Sequence, residues 1–161
     1  MRETLFNWLA PTLAGARCLD LFAGSGLLGL EALSRGAGSV VFVDVDGARI
    51  EQIRGALSRL GGAADAECVT APADAFLARQ PEPFDLIFLD PPFGCGELER
   101  SLGALETGWV SHDARVYLEA EAPLDRLLAE RPDWRLLRAG TAGRVHYGLA
   151  APISPGVAVA S

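Results

Sequence analysis

The chain has 161 residues, a formal net charge of -7 and a composition that is half apolar. These values are typical of one folded domain with its own core, and they exclude a disordered chain. The negative charge also argues against a broad, positively charged surface for nucleic acid, although a local basic patch is compatible with it. No apolar run is long enough to span a bilayer, and the N-terminus lacks the clean apolar segment of a signal peptide.

The three cysteines, Cys18, Cys68 and Cys95, are widely spaced, odd in number and without a C-x-x-C pair. This pattern predicts reduced thiols in a cytoplasmic protein. We therefore expect a cytoplasmic chain that uses neither a disulfide nor a metal ion.

In the N-terminal half, amphipathic segments alternate with short apolar runs. Apolar residues at helical spacing predict helices over residues 2–9, 27–35 and 48–60. Runs of β-branched and other apolar residues predict strands over residues 17–22, 39–43 and 66–71. Gly36 and Gly61 follow the second and third helices, as expected where helices end.

The same alternation continues through the C-terminal half. It predicts helices over residues 73–79, 98–105 and 124–130 and strands over 84–89 and 115–119, followed by a hairpin of 134–138 with 144–149. Strands that alternate with helices predict an α/β fold, with a mostly parallel, doubly wound sheet, in one domain over residues 1–150. Residues 151–161 have few apolar anchors, so we expect a flexible tail there.

Residues 20–29 read D-L-F-A-G-S-G-L-L-G and place a G-x-G-x-x-G spacing directly after the first strand. Glycines there let a ligand approach the start of the next helix, and the spacing is often that of a dinucleotide site. However, the carboxylate of Asp20 would repel the phosphates of a dinucleotide. The same charge favours S-adenosylmethionine, which has no phosphate and carries positive sulfonium and amino groups. We therefore predict a methyl-donor site, with a helix-capping or surface acid as the alternative role of Asp20.

Two other predicted strands also end in a carboxylate. Asp44 follows the second strand, where it can accept hydrogen bonds from both ribose hydroxyls of a nucleoside. NAD sites use a carboxylate in the same way, so Asp44 does not distinguish the two ligands, and Asp46 ranks lower for this role. Glu119 ends the fifth strand and is expected only to order water.

The fourth strand runs directly into Asp90-Pro-Pro-Phe93. The two prolines stiffen this loop and remove two backbone donors. The Asp90 carboxylate and the Pro91 carbonyl can then accept hydrogen bonds from one exocyclic NH2 group, while Phe93 offers a face on which a planar base stacks. Catalysis is expected to be mainly placement for in-line displacement, and whether Asp90 also takes the released proton is left open. A purely structural Pro-Pro turn is the alternative.

With both motifs in place, the chain resembles the RsmD family of bacterial 16S rRNA (guanine(966)-N(2))-methyltransferases. The resemblance runs in order over nearly the whole chain, and D-P-P-F alone is typical only of amino-methyltransferases. It is carried by R-E-T-L-F-N-W-L (2–9), C-L-D-L-F-A-G-S-G-L-L-G-L-E-A-L-S-R-G-A (18–37), D-P-P-F (90–93), Y-L-E-A-E (117–121) and A-G-R-V-H-Y (142–147). It implies a Rossmann-like class I methyltransferase fold with a seven-stranded sheet, an S-adenosylmethionine site and a flipped guanine as substrate.

The resemblance also implies which residues form the two subsites. The donor-site motif matches Asp20, Phe22, Ala23, Gly24, Ser25, Gly26, Asp44 and Val45, with Val45 beside the adenine. The substrate-amine motif matches Asp90, Pro91, Pro92 and Phe93. The implied partner is 16S rRNA in the small ribosomal subunit or in an assembly intermediate, and we expect a monomer without a membrane partner.

Three features depart from the family pattern. Relatives carry a basic segment before R-E-T-L-F, and we expect this chain to lack it together with part of the RNA-binding surface. Relatives have Asp or Asn where Pro72 stands, so the adenine amine is expected to meet Asp74 or the backbone of Ala73 instead. Residues 94–96, G-C-G, stand where relatives tend to be basic, which weakens the expectation of an RNA contact at this loop.

The residues leave other functions open. The acceptor can instead be adenine N6 in DNA or RNA, or a glutamine side-chain amide, although relatives acting there usually have Asn at the position of Asp90. The chain can also be a donor-binding domain without activity of its own. A dinucleotide oxidoreductase is least favoured, because the chain has no predicted second domain and Asp20 is misplaced for phosphates.

Overall fold

The computed structural model of the chain describes residues 1–153, which form a seven-stranded sheet flanked by helices. The helices are α1 (Arg2–Leu13), α2 (Leu27–Ser34), α3 (Gly47–Leu60), α4 (Ala73–Leu77), α5 (Glu97–Leu105) and α6 (Leu124–Ala129). The strands are β1 (Arg17–Asp20), β2 (Ser39–Asp44), β3 (Ala66–Thr70), β4 (Phe84–Leu89), β5 (Val110–Ala120), β6 (Trp134–Ala142) and β7 (Val145–Pro152). Within residues 1–153, none of the helices combines the length and the apolar character needed to cross a bilayer.

The strand order in the sheet is β3-β2-β1-β4-β5-β7-β6. Neighbouring strands from β3 to β5 are parallel, whereas β7 is antiparallel to both β5 and β6. The chain therefore builds one half of the sheet outward from β1 and then crosses back to place β4 on the other side of β1. This order confirms the predicted mostly parallel α/β sheet and its C-terminal antiparallel hairpin.

Two apolar cores lie on opposite faces of the sheet. The first contains residues of α4, α5 and α6, such as Leu102, and the second contains residues of α1, α2 and α3, such as Ile53. Side chains alternate between the faces along each strand, so Leu19 of β1 joins the first core and Cys18 joins the second. Asp20 is two residues after Cys18 and lies on the same face, towards α1 and α2.

α1, β5 and β6 extend well beyond their predicted bounds because tertiary contacts continue them. α1 passes Pro11 and ends at Leu13, which is buried in the core. β5 begins at Val110 rather than at residue 115, since Val110 pairs with Phe84 of β4 across an irregular register. β6 continues through Ala142, paired along its length with β7.

The C-terminal hairpin also includes part of the predicted tail, residues 151–161. β7 ends at Pro152, and its last two residues pair with Arg135 and Trp134 of β6. The prediction of a tail was therefore wrong for residues 151 and 152, whose backbone joins the sheet. The positions from 154 onward lie outside the described residues.

Candidate functional site

A cavity of about 1000 Å³ opens at the carboxyl ends of the central strands. It lies where β1 stands between β2 and β4, which is the point at which the order of the strands reverses. Ligands of open α/β sheets bind in the crevice at such a point, because the loops that leave the two strands diverge there. The fold therefore predicts the position of the site independently of the motifs.

Twelve of the predicted site residues line this cavity. They are Asp20, Phe22, Ala23, Gly24, Ser25, Asp44, Val45, Ala73, Asp90, Pro91, Pro92 and Phe93. Gly26, the remaining glycine of this turn, does not line the cavity, but its positive φ angle sets the course of the loop. The structure does not bring Asp74 to the cavity, because this residue is exposed on α4 and its carboxylate accepts a hydrogen bond from the adjacent Ala75 N–H.

The glycine turn after β1 adopts a conformation that only glycine tolerates well. Gly24 and Gly26 have φ angles of +58° and +80°, and the Gly26 N–H donates to the Ala23 carbonyl at 2.8 Å. A Cβ at Gly26 would lie 2.9 Å from the Ile53 side chain, so a larger residue would push α3 away. At Gly24 the nearest atom to a Cβ is an Arg49 nitrogen at 4.0 Å, which leaves the backbone open to a ligand.

The carboxyl of Asp20 forms part of the floor of the cavity and is only 3% exposed. Its Oδ2 accepts a hydrogen bond of 3.1 Å from the Gly29 N–H in the first turn of α2, so Asp20 also has the helix-capping role that was the alternative. The pKa of Asp20 is raised to about 7, mainly by burial; the Gly29 hydrogen bond opposes this rise, and the nearby charges of Asp90 and Asp44 contribute to it. A bound cation would stabilise the charged form of this acid.

Asp44 is buried at the end of β2 and ties two loops together. Its Oδ2 accepts from the Gly24 N–H at 2.8 Å, and its Oδ1 accepts from the Asp46 N–H at 2.9 Å. Each carboxylate oxygen retains a second lone pair for a ligand hydroxyl. Asp46 instead caps α3 by accepting from the Ala48 N–H, which favours Asp44 for the ribose role. Val45, beside it, is 70% exposed at the cavity.

The loop Asp90-Pro91-Pro92-Phe93 forms the opposite wall of the cavity. Asp90 follows the last residue of β4, and Phe93 is 43% exposed, which leaves a ring face available for stacking. The Cys95 thiol donates to the Pro92 carbonyl at 3.0 Å and holds the far end of the loop. Partial burial in the cavity raises the pKa of Asp90, and the neighbouring Glu119 lowers it in part.

The structure adds residues that the sequence analysis did not assign to the site. Tyr117 and Glu119 of β5 line the cavity beside Asp90, although Glu119 was expected only to order water. Two cations, Arg2 of α1 and Arg49 of α3, line it as well. The sequence could have indicated a site role for Glu119, because this residue stands at the carboxyl end of a predicted central strand next to the strand that leads into D-P-P-F.

The lining suits a cationic nucleoside better than a dinucleotide. Its acids outnumber its two arginines, Arg2 and Arg49, each of which lies 3.8 Å from a carboxylate of a neighbouring residue, Glu31 or Asp46. A pyrophosphate placed at the glycine turn would meet the buried Asp20 carboxyl, whereas positive amino and sulfonium groups would be attracted to it. Across residues 1–153, no group of three or more potential metal ligands is found.

Comparisons with known proteins identify the family of the chain and its relatives. The model of the family described as Conserved hypothetical protein 95 matches residues 1–151. A protein of Escherichia coli named ribosomal RNA small subunit methyltransferase D is 44% identical over 150 residues, which are 92% of this chain and 75% of that protein. Its namesake in Haemophilus influenzae is 40% identical over 153 residues, covering 92% and 78%. The solved structure of a putative methyltransferase from Escherichia coli is similar with a TM-score of 0.86, at 40% identity, over 95% of this chain and 84% of that one.

Proposed function

The chain belongs to the Conserved hypothetical protein 95 family, which it shares with the ribosomal RNA small subunit methyltransferase D proteins, and we propose that it methylates 16S rRNA with S-adenosylmethionine as donor. Membership confirms the family resemblance found in the sequence, and the fold is that of class I methyltransferases. We propose further that the acceptor is the exocyclic N2 amine of a guanine of the guanine-966 type. The observation that carries the proposal is the shared cavity of the glycine turn, Asp20 and the D-P-P-F loop.

In this proposal the glycine turn and the ends of β1 and β2 hold the donor. Gly24 lets the nucleoside approach the backbone, Asp44 accepts from the ribose hydroxyls, and Val45 covers the adenine. The backbone at Ala73 meets the adenine amine in place of the missing acid at Pro72. Asp20 neutralises the positive methionyl end. When bound, the donor supplies an electrophilic methyl group on a positively charged sulfur.

The D-P-P-F loop holds the acceptor in the same proposal. The Asp90 carboxylate and the Pro91 carbonyl each accept one hydrogen bond from the NH2 group, which fixes the nitrogen and turns its lone pair towards the methyl carbon. Phe93 stacks on the base after the base has left its helix. Placement of this kind supplies most of the rate enhancement, because in-line displacement needs the two reacting atoms close and aligned.

The proposal can be tested by separating donor binding from turnover. We expect isothermal titration to show micromolar binding of S-adenosylmethionine and of its demethylated product to the wild-type chain. Asp90→Ala should leave this binding nearly unchanged and abolish methyl transfer to 16S rRNA. Asp113→Ala is the matched control, because it removes an exposed β5 carboxylate that does not line the cavity. A titration without heat for either ligand would refute the donor site.

Nucleoside mass spectrometry of the product identifies the acceptor. N2-methylguanosine in 16S rRNA is the expected product, whereas N6-methyladenine or methylated glutamine would point to the alternative acceptors. Donor binding without transfer to any RNA would indicate a donor-binding domain that needs further residues for activity. A version of the chain extended by the basic N-terminal segment of its relatives would then regain transfer.

The proposed partner is 16S rRNA in the small ribosomal subunit or in an assembly intermediate, and the proposed compartment is therefore the cytoplasm. The acidic net charge supports a local contact with RNA around the cavity mouth rather than a broad electrostatic surface. Arg2 and Arg49 are the cations at that mouth. We propose that the protein is a monomer. Analytical ultracentrifugation would measure its mass in solution.

A further inference from the structure

The second carboxyl in the acceptor half of the cavity has no role in the proposed function so far. Glu119 is 9% exposed and lies near the end of β5, and it lines the cavity. Its backbone register places it beside Asp90, because Phe88 pairs with Tyr117 and Leu89 with Leu118 in the parallel ladder. Continuing that ladder by one residue brings Asp90 opposite Glu119.

The side chains of these residues share one face of the sheet. Phe88 and Tyr117 both belong to the core on the α1 side, and residues two positions later along a strand point the same way. Asp90 and Glu119 therefore project towards the same region, above the Phe88 and Tyr117 rings. Tyr117 lies two residues before Glu119 on the same face of β5, and both side chains line the cavity together with Asp90.

We propose that Asp90 and Glu119 act as one carboxyl pair, which takes up the proton released when the acceptor amine is methylated, with Tyr117 orienting Glu119. This inference rests on the proposed function, because it requires an amine held by Asp90. Asp90 is the residue that touches the substrate. Glu119 and Tyr117 act through it and are positioning residues.

The proton balance of the step explains why a pair is useful. Once the amine nitrogen has bonded to the methyl carbon, with the electron pair of the broken carbon–sulfur bond left on sulfur, the nitrogen carries a positive charge and a surplus proton. That proton passes to an Asp90 oxygen, the N–H bonding electrons return to the nitrogen, and the proton is shared with Glu119 before it leaves to water. A lone exposed carboxylate is a weak base at neutral pH, but two adjacent carboxylates bind their first proton more tightly because their charges repel.

The surroundings of Glu119 support this behaviour. Burial, together with the neighbouring Asp90, raises the pKa of Glu119 to about 7. Burial beside the same acids raises the pKa of Tyr117 well above its usual range, so Tyr117 remains a hydrogen-bond donor. Tyr147 of β7 pairs with Glu119 in register. The titratable and charged groups from other elements that share the cavity lining with Glu119 are Asp90, Asp20, Asp44, Glu97, Arg2 and Arg49.

The pH dependence of turnover tests the pair. We expect wild-type kcat to fall as the pH drops through about 7, because the pair must be unprotonated to accept the proton. Glu119→Gln should move this acidic limb down by at least one pH unit, since Asp90 then ionises without a charged neighbour, and should lower kcat at pH 8 by about tenfold. Tyr117→Phe should move the limb up, because Glu119 loses a donor to its charged form. The control Glu121→Gln, at an exposed carboxylate two residues further on, should change neither.

A titration of the free protein supplies a readout that does not depend on the donor or the RNA. Carboxyl ¹³C NMR should show Glu119 titrating in the neutral range in the wild type and at least one unit lower in Asp90→Asn. Three outcomes would each overturn the inference. Glu119 could titrate as an ordinary carboxyl, the acidic limb could stay unchanged in Glu119→Gln, or that variant could lose kcat equally at every pH. Failure of the wild-type chain to methylate guanine would instead overturn the proposed function, and thermal unfolding of each variant checks that it is folded.

Discussion

Gly29 is the position at which packing of the donor half can be tested most directly. It is the third glycine of the G-x-G-x-x-G spacing and lies in α2, against β2. A Cβ placed there would lie 2.3 Å from Cε1 of Phe42 and 3.0 Å from Cγ1 of Val40. The Phe42 ring is fully buried, so it has no free space into which it can move.

The magnitude for Gly29→Ala follows from two opposing effects. Overpacking of a core costs about 1–3 kcal/mol, while exchanging glycine for alanine within a helix contributes about 0.8–1 kcal/mol of stability. Because the overlap is with a buried ring, we expect a net loss of about 1–2 kcal/mol. For a domain of this size that corresponds to a fall of about 2–8 °C in the unfolding midpoint. Donor affinity should fall too, because the Gly29 N–H that holds Asp20 moves with α2.

Gly55→Ala is the matched control, measured by the same calorimetric unfolding and donor titration. Gly55 is also inside a helix, α3, but a Cβ there meets only the flexible end of Arg59 at 3.4 Å. It should therefore stabilise the chain by up to about 1 kcal/mol and leave donor binding unchanged. The packing argument would be refuted if Gly29→Ala raised the midpoint as Gly55→Ala does.

Two further predictions concern the acids of the donor half. Asp46→Ala should lower the unfolding free energy by about 1 kcal/mol in chemical denaturation, because α3 loses its cap at the Ala48 N–H, and it should retain donor binding. Asp44→Ala should instead abolish the heat of donor binding in the titration. Equal donor binding by both variants would contradict the ribose assignment of Asp44. Asp20→Asn should flatten the pH dependence of stability. Asp20 has a pKa of about 7 when folded against 3.8 as the reference value, so the folded chain binds more protons between about pH 4 and 7. The unfolding free energy of the wild type therefore falls as pH rises through this window. Thermal unfolding of both proteins from pH 5 to 8 measures this effect. If the unfolding midpoint changed with pH equally in Asp20→Asn and in the wild type, Asp20 would not be the cause.

Local patterns were sufficient for most of the fold. The strand over residues 84–89 and the strong helical spacing of 48–60 appear almost unchanged as β4 and α3, because their side chains alone specify a buried strand and an amphipathic helix. The extension of β5 back to Val110 was not predictable in this way. Its polar residues, such as His112 and Asp113, do not favour a strand locally, and they lie in the irregular stretch between the Val110 and Arg115 pairs with β4.

The motifs likewise identified about half of the cavity lining from short stretches, because the fold brings the carboxyl ends of parallel strands to one edge. Asp74 shows the limit of that reasoning, since proximity along the chain to Ala73 does not determine on which side of a short helix a residue lies.

By itself the sequence determined the alternation of strands and helices, the glycine turn after β1 and the rigid loop after β4, since each depends on neighbours within a few residues. Only the tertiary structure decided that Glu119 stands beside Asp90 and that Gly29 packs on Phe42. These pairs are 29 and 13 positions apart along the chain, and they meet because strand register and the packing of helix on sheet bring them together. No local pattern encodes such a distance.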